Sequence, residues 1–291
     1  ASSATVSNEI TLGDANVTSL RIPGLQSGAS DGQVLTYNST NGNITLADAG
    51  GGGGGASEIN DLSDAVTKDS GVTIGLGTGA LANDDDSDNN NTALGYNALN
   101  ANTSGANNVA LGYEALKANT TRSASIAIGY QALASNTTGD GNVAVGYEAL
   151  STGTTTAAGF NYNTAVGYRA IKLGTSYNNT AVGYTALEDT TTGTRNVAIG
   201  MMAGANNTTG SSNTYLGFGT GVLGTTNSNN VAVGQRTLES NTVDNNTAIG
   251  YQAALANTTG ASNTALGYKS LYSNTTASYN TAVGYDALGS T

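Results

Sequence analysis

The chain has 291 residues, a formal net charge of −11, and neither histidine nor cysteine. Without these two residue types it cannot build Ser-His-Asp or Cys-His catalytic sites, disulfides, or thiolate and imidazole metal sites. The acidic balance argues against a nucleic-acid partner or a basic membrane-binding patch, since both require clustered lysine and arginine. No apolar run reaches the roughly 18 residues of a membrane-spanning helix, so we expect no membrane insertion.

Residues 1–49 are predicted to form a small β segment. Short runs of β-branched and apolar residues at 9–12, 18–22 and 33–37 are separated by Gly, Asn and Asp turns, as in short strands. The stretch 31–37 resembles small β modules of virus fibres. That resemblance implies the end of a fibre that attaches to a particle, or a segment of its shaft.

Residues 50–71 are predicted to form a hinge followed by a neck. The unbroken Gly50–Gly55 run is flexible by composition. Within 57–68, Ile59, Leu62 and Val66 recur at helical spacing, and Ser57 is suited to cap the helix. We therefore predict a short helix, three copies of which could associate into a trimeric neck. The alternative is an ordered loop.

The densest acidic cluster comes next and contains Asp84, Asp85, Asp86 and Asp88. Several carboxylate oxygens close together are what Ca²⁺ prefers, so a metal loop is one interpretation. The cluster lacks the EF-hand spacing, its glycine and its terminal glutamate. The alternative is a solvated insertion between the first two repeats.

A repeat of about 17 residues fills residues 72–291. Its core motif is Asn-Thr/Val-Ala-Val/Ile/Leu-Gly-Tyr, and its glycines are Gly95, Gly112, Gly129, Gly146, Gly167, Gly183, Gly200, Gly217, Gly234, Gly250, Gly267 and Gly284. A degenerate copy around Gly75 makes thirteen repeats. A unit this short cannot be a helical hairpin, and it fits one coil of a parallel β-solenoid with a strand, a corner, a short strand and a turn.

Each coil is predicted to contain a strand with two distinct faces. The residues three before, one before and one after the glycine are β-branched, apolar and usually tyrosine, and they share one face because side chains alternate along a strand. We expect this large face to point inward. The opposite face carries Ala, then Gly, then a variable position, and its Ala and Gly columns suit close approach of another copy. The candidate subunit-interface residues are Gly95, Gly112, Gly129, Gly146, Gly167 and Gly183.

The remaining parts of the motif also have predicted roles. Ala-Leu after the tyrosine predicts a second short extended segment, and Asn-Thr-Thr-Gly predicts a turn. Asn stands four residues before the glycine in eleven of twelve regular copies and predicts a hydrogen-bonded ladder along the stack. The ladder residues are Asn91, Asn108, Asn142, Asn163, Asn179, Asn196, Asn213, Asn230, Asn246, Asn263 and Asn280.

Two further sequence features that could indicate catalysis or phosphate binding are better explained as parts of the fold. Glu114 and Glu148 occupy a variable position among Asn, Gln, Thr and Arg, which favours a solvated face over a catalytic carboxylate pair. Gly75–Gly79 lacks the Lys-Ser/Thr and the following helix of a phosphate-binding loop. We therefore assign no catalytic, cofactor-binding or established metal residue, and predict that the protein is not an enzyme.

The repeated Asn-Thr-Ala-Val-Gly-Tyr and Asn-Val-Ala-Ile-Gly units resemble the head repeats of YadA-type trimeric autotransporter adhesins. This resemblance implies a left-handed parallel β-roll in a tight homotrimer. The Gly-Tyr-x-Ala-Leu and Asn-Thr-Thr-Gly elements more closely resemble phage tail or capsid fibres. The resemblance covers residues 72–291.

Together these observations predict an all-β, left-handed parallel β-roll or solenoid in a homotrimeric fibre. The expected function is that of a phage tail or capsid fibre at the virion surface, attached to the particle at one end and presented to a host-surface receptor such as a glycan. One alternative is a bacterial cell-surface adhesin passenger. Another is an ice- or surface-binding solenoid, against which the expected inward direction of the threonine column argues.

Overall fold

A computed structural model describes residues 33–37, 44–48, 65–68, 73–85, 89–152, 159–160 and 162–290. The chain divides into two compact units, residues 1–57 and 58–291. In the first unit, β1 (Gln33–Tyr37) pairs antiparallel with β2 (Ile44–Asp48). The strand predicted at 33–37 is therefore present, whereas those at 9–12 and 18–22 lie outside the described residues.

The second unit contains a fourteen-stranded sheet that begins with β3 (Ala65–Lys68) and β4 (Thr73–Leu76). β3 runs antiparallel to β4 and every later strand is parallel to its neighbours. The helix predicted over 57–68 is thus wrong for 65–68, and residues 57–64 lie outside the described part. Pairing the backbone of β3 with the first coil satisfies groups at an open sheet edge, which a short helix would leave unpaired.

The parallel strands stack in register, one from each coil. Equivalent motif residues are neighbours throughout, as in the pairing of Ala93 with Ala110 and of Ala110 with Ala127. After β4 these strands are β5 (Thr92–Leu94), β6 (Val109–Leu111), β7 (Ile126–Ile128), β9 (Val143–Val145), β11 (Thr164–Val166), β12 (Thr180–Val182), β13 (Val197–Ile199), β14 (Thr214–Leu216), β15 (Val231–Val233), β16 (Thr247–Ile249), β17 (Thr264–Leu266) and β18 (Thr281–Val283). A separate parallel pair joins β8 (Gly139–Asp140) to β10 (Gly159–Phe160). The parallel β-solenoid with spacing of about 17 residues is confirmed.

The register corrects the alignment of the first repeat. Gly75 pairs with Ala93, and Leu76 pairs with Leu94, so Gly77 rather than Gly75 is equivalent to Gly95. A Cβ added at Gly77 would lie 2.9 Å from the Gly95 carbonyl oxygen. The first repeat is therefore shifted by two residues from its alignment on Gly75, and it belongs to the solenoid.

The Ala-Leu element is a left-handed turn instead of a second strand. In the coil of Gly95, the φ angles are +134° at Gly95, +52° at Asn97 and +49° at Leu99. Leu99 is fully buried, and its N–H donates to the Ala115 carbonyl of the next coil at 3.0 Å. Burial of the leucine and this hydrogen bond offset the steric cost of a left-handed residue, which is on the order of 1–2 kcal/mol.

The two strand faces are reversed from the prediction. Ala93 and its equivalent alanines are at most 3% exposed, whereas Leu94 is 42% exposed and Tyr96 is 48% exposed. The interior of one coil is narrow, and the turn leucine already occupies it from the opposite side. Only alanine fits in the strand under that leucine, so the large side chains are forced outward.

Candidate functional surface

The outward residues of the strands form three parallel columns, which we call the outer face. The first column is β-branched, the second aliphatic, and the third mainly aromatic. The columns start at Thr92, Leu94 and Tyr96 and end at Thr281, Val283 and Tyr285. Exposed apolar members occur along the whole length, including Leu111, Ile199, Leu216, Ile249 and Leu266.

The aromatic column contains two runs of stacked tyrosines. In the first run, Tyr96, Tyr113, Tyr130, Tyr147, Tyr168 and Tyr184 stack with ring centroids 5.0–5.2 Å apart and interplanar angles of 7–16°. In the second, Tyr251, Tyr268 and Tyr285 are separated by 5.3 and 4.9 Å. Met201, Phe218 and Gln235 occupy the column between the runs. Within each run, stacking gives a flat, continuous surface of ring edges along the solenoid.

The outer face is large for an uncovered apolar surface. Twelve strands spaced by about 4.8 Å span roughly 55 Å, and three columns two residues apart give a footprint on the order of 700 Å², which includes threonine and tyrosine hydroxyls. The largest apolar patch on an ordinary monomer is about 300–600 Å². A standard protein interface buries about 800 Å² on each partner. The outer face therefore has the size and composition of a protein-binding surface.

The glycine column serves the stacking of coils within one chain. Gly95, Gly112 and Gly167 have φ angles of +134°, +134° and +138°, and Gly129, Gly146 and Gly183 have φ angles of +130°, +138° and +141°. A Cβ at Gly95 would lie 2.4 Å from the Gly112 carbonyl oxygen, and one at Gly167 would lie 2.3 Å from that of Gly183. These contacts account for the glycines without a second chain. A role for the six at a subunit interface stays a prediction, and the bare Ala-Gly face from which it was drawn does not exist.

The motif asparagines line the interior as a continuous column. Asn108 N–H donates to Asn91 Oδ1 at 2.8 Å, and the same bond recurs up to Asn280 at 2.8–3.0 Å. Where Ser125 replaces asparagine, its Oγ accepts from Asn142 N–H at 3.3 Å. The column thus satisfies buried backbone donors at the corner before each strand.

A second asparagine column was not recognised from the sequence. Asn102 and Asn119 are fully buried, and Asn119 Nδ2 donates to Asn102 Oδ1 at 3.0 Å. The arrangement recurs where Asn274 Nδ2 donates to Asn257 Oδ1 at 2.9 Å. The signal was present in the Asn-Thr-Thr-Gly turns, whose asparagines recur at the same period. Turn propensity alone did not indicate that these side chains point inward.

The acidic cluster is only partly described. Asn89 Nδ2 donates to Asp84 Oδ1 at 3.3 Å and to Asp85 Oδ1 at 3.2 Å, while Asp86 and Asp88 lie outside the described residues. In the described part of the chain, no group of three acidic side chains is placed to hold a metal ion. The metal interpretation of this cluster stays a prediction.

A second candidate surface is a groove of about 320 Å³ on the turn side of four consecutive coils. We call it the polar groove; it is lined by Glu114, Lys117, Gln131, Ala134, Ser135, Glu148, Ser151, Thr152 and Lys172. Lys117 Nζ lies 2.6 Å from Glu114 Oε1, and Gln131 Nε2 donates to Glu114 Oε2 at 2.8 Å. Lys172 Nζ lies 3.1 Å from Glu148 Oε2.

The two groove carboxylates are less solvated than the sequence predicted. The Glu114 and Glu148 side chains are only 13% and 14% exposed. Hydrogen bonds from Lys117 and Gln131 lower the pKa of Glu114. Burial raises the pKa of Glu148, but hydrogen bonds from Lys172 and Arg169 outweigh it and lower the pKa overall. Both groups are therefore held ionised and paired instead of poised for acid-base chemistry.

Comparison with known protein families, with curated proteins and with solved structures finds no match. Within the part of the chain that the structure describes, no helix is long and apolar enough to cross a membrane. The candidate functional surfaces of the described residues are therefore the outer face and the polar groove.

Proposed function

We propose that the chain is a structural fibre protein, one strand of a homotrimeric shaft that projects from a phage particle for attachment to a host surface. The observation that carries this proposal is the exposed outer face, in which Leu94, Leu216 and Leu266 are each more than 40% exposed. A second copy offers the same three columns at the same spacing. It could therefore cover the outer face along its whole length.

Self-association through this face agrees with the charge distribution. The chain has a net charge of −11, yet none of the residues in the three columns of the outer face is charged. Copies can approach there without bringing like charges into direct contact, and the burial contributes about 25 cal/mol per Å² of apolar surface. The resemblance to trimeric adhesin heads favours three copies over two. The same resemblance leaves one alternative to the phage fibre, in which the chain is the passenger of a bacterial cell-surface adhesin.

The native molar mass tests the proposal directly. Light scattering on a sizing column is expected to give three times the 28.8 kDa chain mass with an elongated profile. A monomeric mass would contradict the trimeric shaft.

We expect Leu111→Lys combined with Leu216→Lys to abolish assembly while the coils stay folded. Both leucines are partly exposed in one chain, at 40% and 42%, and the lysine methylenes can cover the same neighbours, so each replacement should cost an isolated chain roughly 1 kcal/mol. In a trimer the lysines would be desolvated in an apolar contact. The measurement is the native mass together with the far-ultraviolet circular dichroism spectrum.

The matched control is Thr120→Lys combined with Thr225→Lys, which adds the same charges to exposed threonines of the polar turns. This control should remain trimeric. Equal loss of assembly in both variants would show that added charge, and not the outer face, determines the result.

A monomeric ice- or surface-binding solenoid is the second candidate, and one observation now favours it. The threonine column points outward, since Thr92, Thr264 and Thr281 are exposed. This removes the objection drawn from the sequence. A monomeric mass accompanied by thermal hysteresis would support this candidate over the fibre.

A further inference from the structure

The polar groove is local to one part of a repetitive shaft. Its wall positions recur in every coil, two and five residues after the motif glycine. In the groove these positions hold Gln131 and Ala134, whereas a later coil has Gln252 and Leu255. The small side chain of Ala134 leaves the space open between Lys117 and Lys172. The small side chain of Ala134 therefore contributes to the concavity.

The charges of the polar groove select the kind of ligand that fits. Among the lining residues, Glu114 and Glu148 balance Lys117 and Lys172. Arg169 also pairs with Glu148 from beside the groove, and its second partner Glu188, at 4.0 Å, balances that extra charge. A free anion would meet the two carboxylates, and a free cation would meet the two ammonium groups. A neutral ligand with many hydroxyl groups would instead find alternating donors and acceptors.

One group at the groove lacks a partner of its own. Ser151 Oγ is buried and makes no hydrogen bond within the described residues. Such a hydroxyl is unfavourable unless something supplies the missing bond. Ser151 lines the same groove as Gln131, whose side-chain amide can both donate and accept.

We propose that the polar groove binds a neutral oligosaccharide lying along the fibre axis. Extended chains of pyranose rings repeat at nearly the spacing of stacked strands, so successive sugar units would meet equivalent positions of successive coils. The volume of about 320 Å³ is at the lower end for ligand pockets and suits a short stretch of such a chain. The inference rests on the proposed attachment function for its biological role, and it supplies that function with a receptor class and a site.

The test uses the full chain and a panel of neutral gluco-, manno-, galacto- and N-acetylglucosamine oligosaccharides, with sialylated and uronate counterparts. Binding of the chain to the immobilised oligosaccharides is measured first. The affinity for each neutral oligosaccharide that binds is then measured by titration calorimetry. Ala134→Leu should weaken binding roughly tenfold or more, because it fills the groove with the side chain found at Leu255. Gln131→Leu should do the same by removing the central donor and acceptor.

Gln252→Leu is the matched control, since it makes the same replacement at the equivalent position of a coil outside the groove. It should bind like the unmodified chain. Failure to bind any neutral member, preference for the acidic members, or equal binding by the groove variants and the control would each overturn the proposal. All groove residues belong to one chain, so a monomeric mass with intact binding would contradict the trimer alone. A trimer that binds no neutral sugar would contradict the groove alone.

Discussion

Replacement of Gly167 by alanine is expected to lower the free energy of unfolding of its coil by roughly 3–5 kcal/mol. The φ angle of Gly167 is +138°, a conformation that strains any residue with a side chain. The added Cβ would also lie 2.3 Å from the Gly183 carbonyl oxygen of the next coil. Backbone atoms cannot move away without breaking the strand pairing on both sides. Hydrogen exchange of amides in the neighbouring coils measures the local loss.

Gly284→Ala separates backbone strain from steric overlap. Its φ angle is +129°, but the nearest atom to an added Cβ is Ala287 Cβ at 3.9 Å. Only the conformational cost remains, on the order of 1–3 kcal/mol. If both alanine variants lose the same amount, overlap between coils contributes nothing and the proposed role of the glycine column is wrong.

Because the glycine column stabilises each single chain, substitutions in it cannot be used to locate a subunit interface. Substitution of Gly167 and Gly183 by valine would prevent assembly by unfolding the individual chain. Failed assembly in such a variant therefore carries no information about the interface. The exposed leucines of the outer face are informative because their side chains make little contribution to the fold of one chain.

The solenoid could be predicted because the sequence of one repeat indicates its strand, its turns and its stacking period. Period-two alternation predicts a strand, Asn and Gly predict turns, and a spacing of 17 residues brings equal positions into register. Which strand face lies inside could not be predicted from alternation. That depends on the width of the coil, which is set by Leu99 and its equivalents reaching across to Ala93.

The turn and the groove were missed for related reasons. Leucine disfavours the left-handed conformation, so a single-residue preference argues against the turn that Leu99 makes at a φ angle of +49°. The preference is overridden by burial and by hydrogen bonds to the next coil, neither of which is visible within one repeat. The polar groove likewise combines Lys117, Ala134, Ser151 and Lys172 from four coils. The motif glycines already align these four positions, but that the positions line a groove depends on the left-handed turn that precedes them.

The coil of Gly217 has a core built around an aromatic ring, and it provides the second large expected effect. Tyr215 replaces the strand alanine and is fully buried. Gly221 replaces the turn leucine of the same coil, and Gly204 replaces that of the preceding coil. A Cβ on either glycine would lie within 2.7 Å of the Tyr215 ring. Asn227 Nδ2 donates to the phenol oxygen at 3.4 Å. One large ring therefore fills the space that two leucines occupy elsewhere.

We expect Tyr215→Ala to destabilise the protein by about 3–5 kcal/mol, the usual cost of deleting a buried aromatic ring. Adding Gly204→Leu and Gly221→Leu should restore much of this loss. Leu187 and Leu238 have φ angles of +50° and +49° at the equivalent positions, close to the +58° of Gly204 and +60° of Gly221. Chemical denaturation of the single and triple variants measures both changes.

The sign of the leucine substitutions is the critical result. With Tyr215 present, Gly204→Leu should be destabilising because the new Cβ would lie 2.7 Å from Tyr215 Cδ2. With Tyr215→Ala it should be stabilising, so the coupling between the two positions is favourable and large. A leucine that destabilises equally in both backgrounds would mean that the glycines are required by the backbone and not by the ring. A reversal of sign would establish that the coil accepts two interior packings, one aromatic ring or two leucines, with the same strand register. The residues of the outer face could then vary independently of the core.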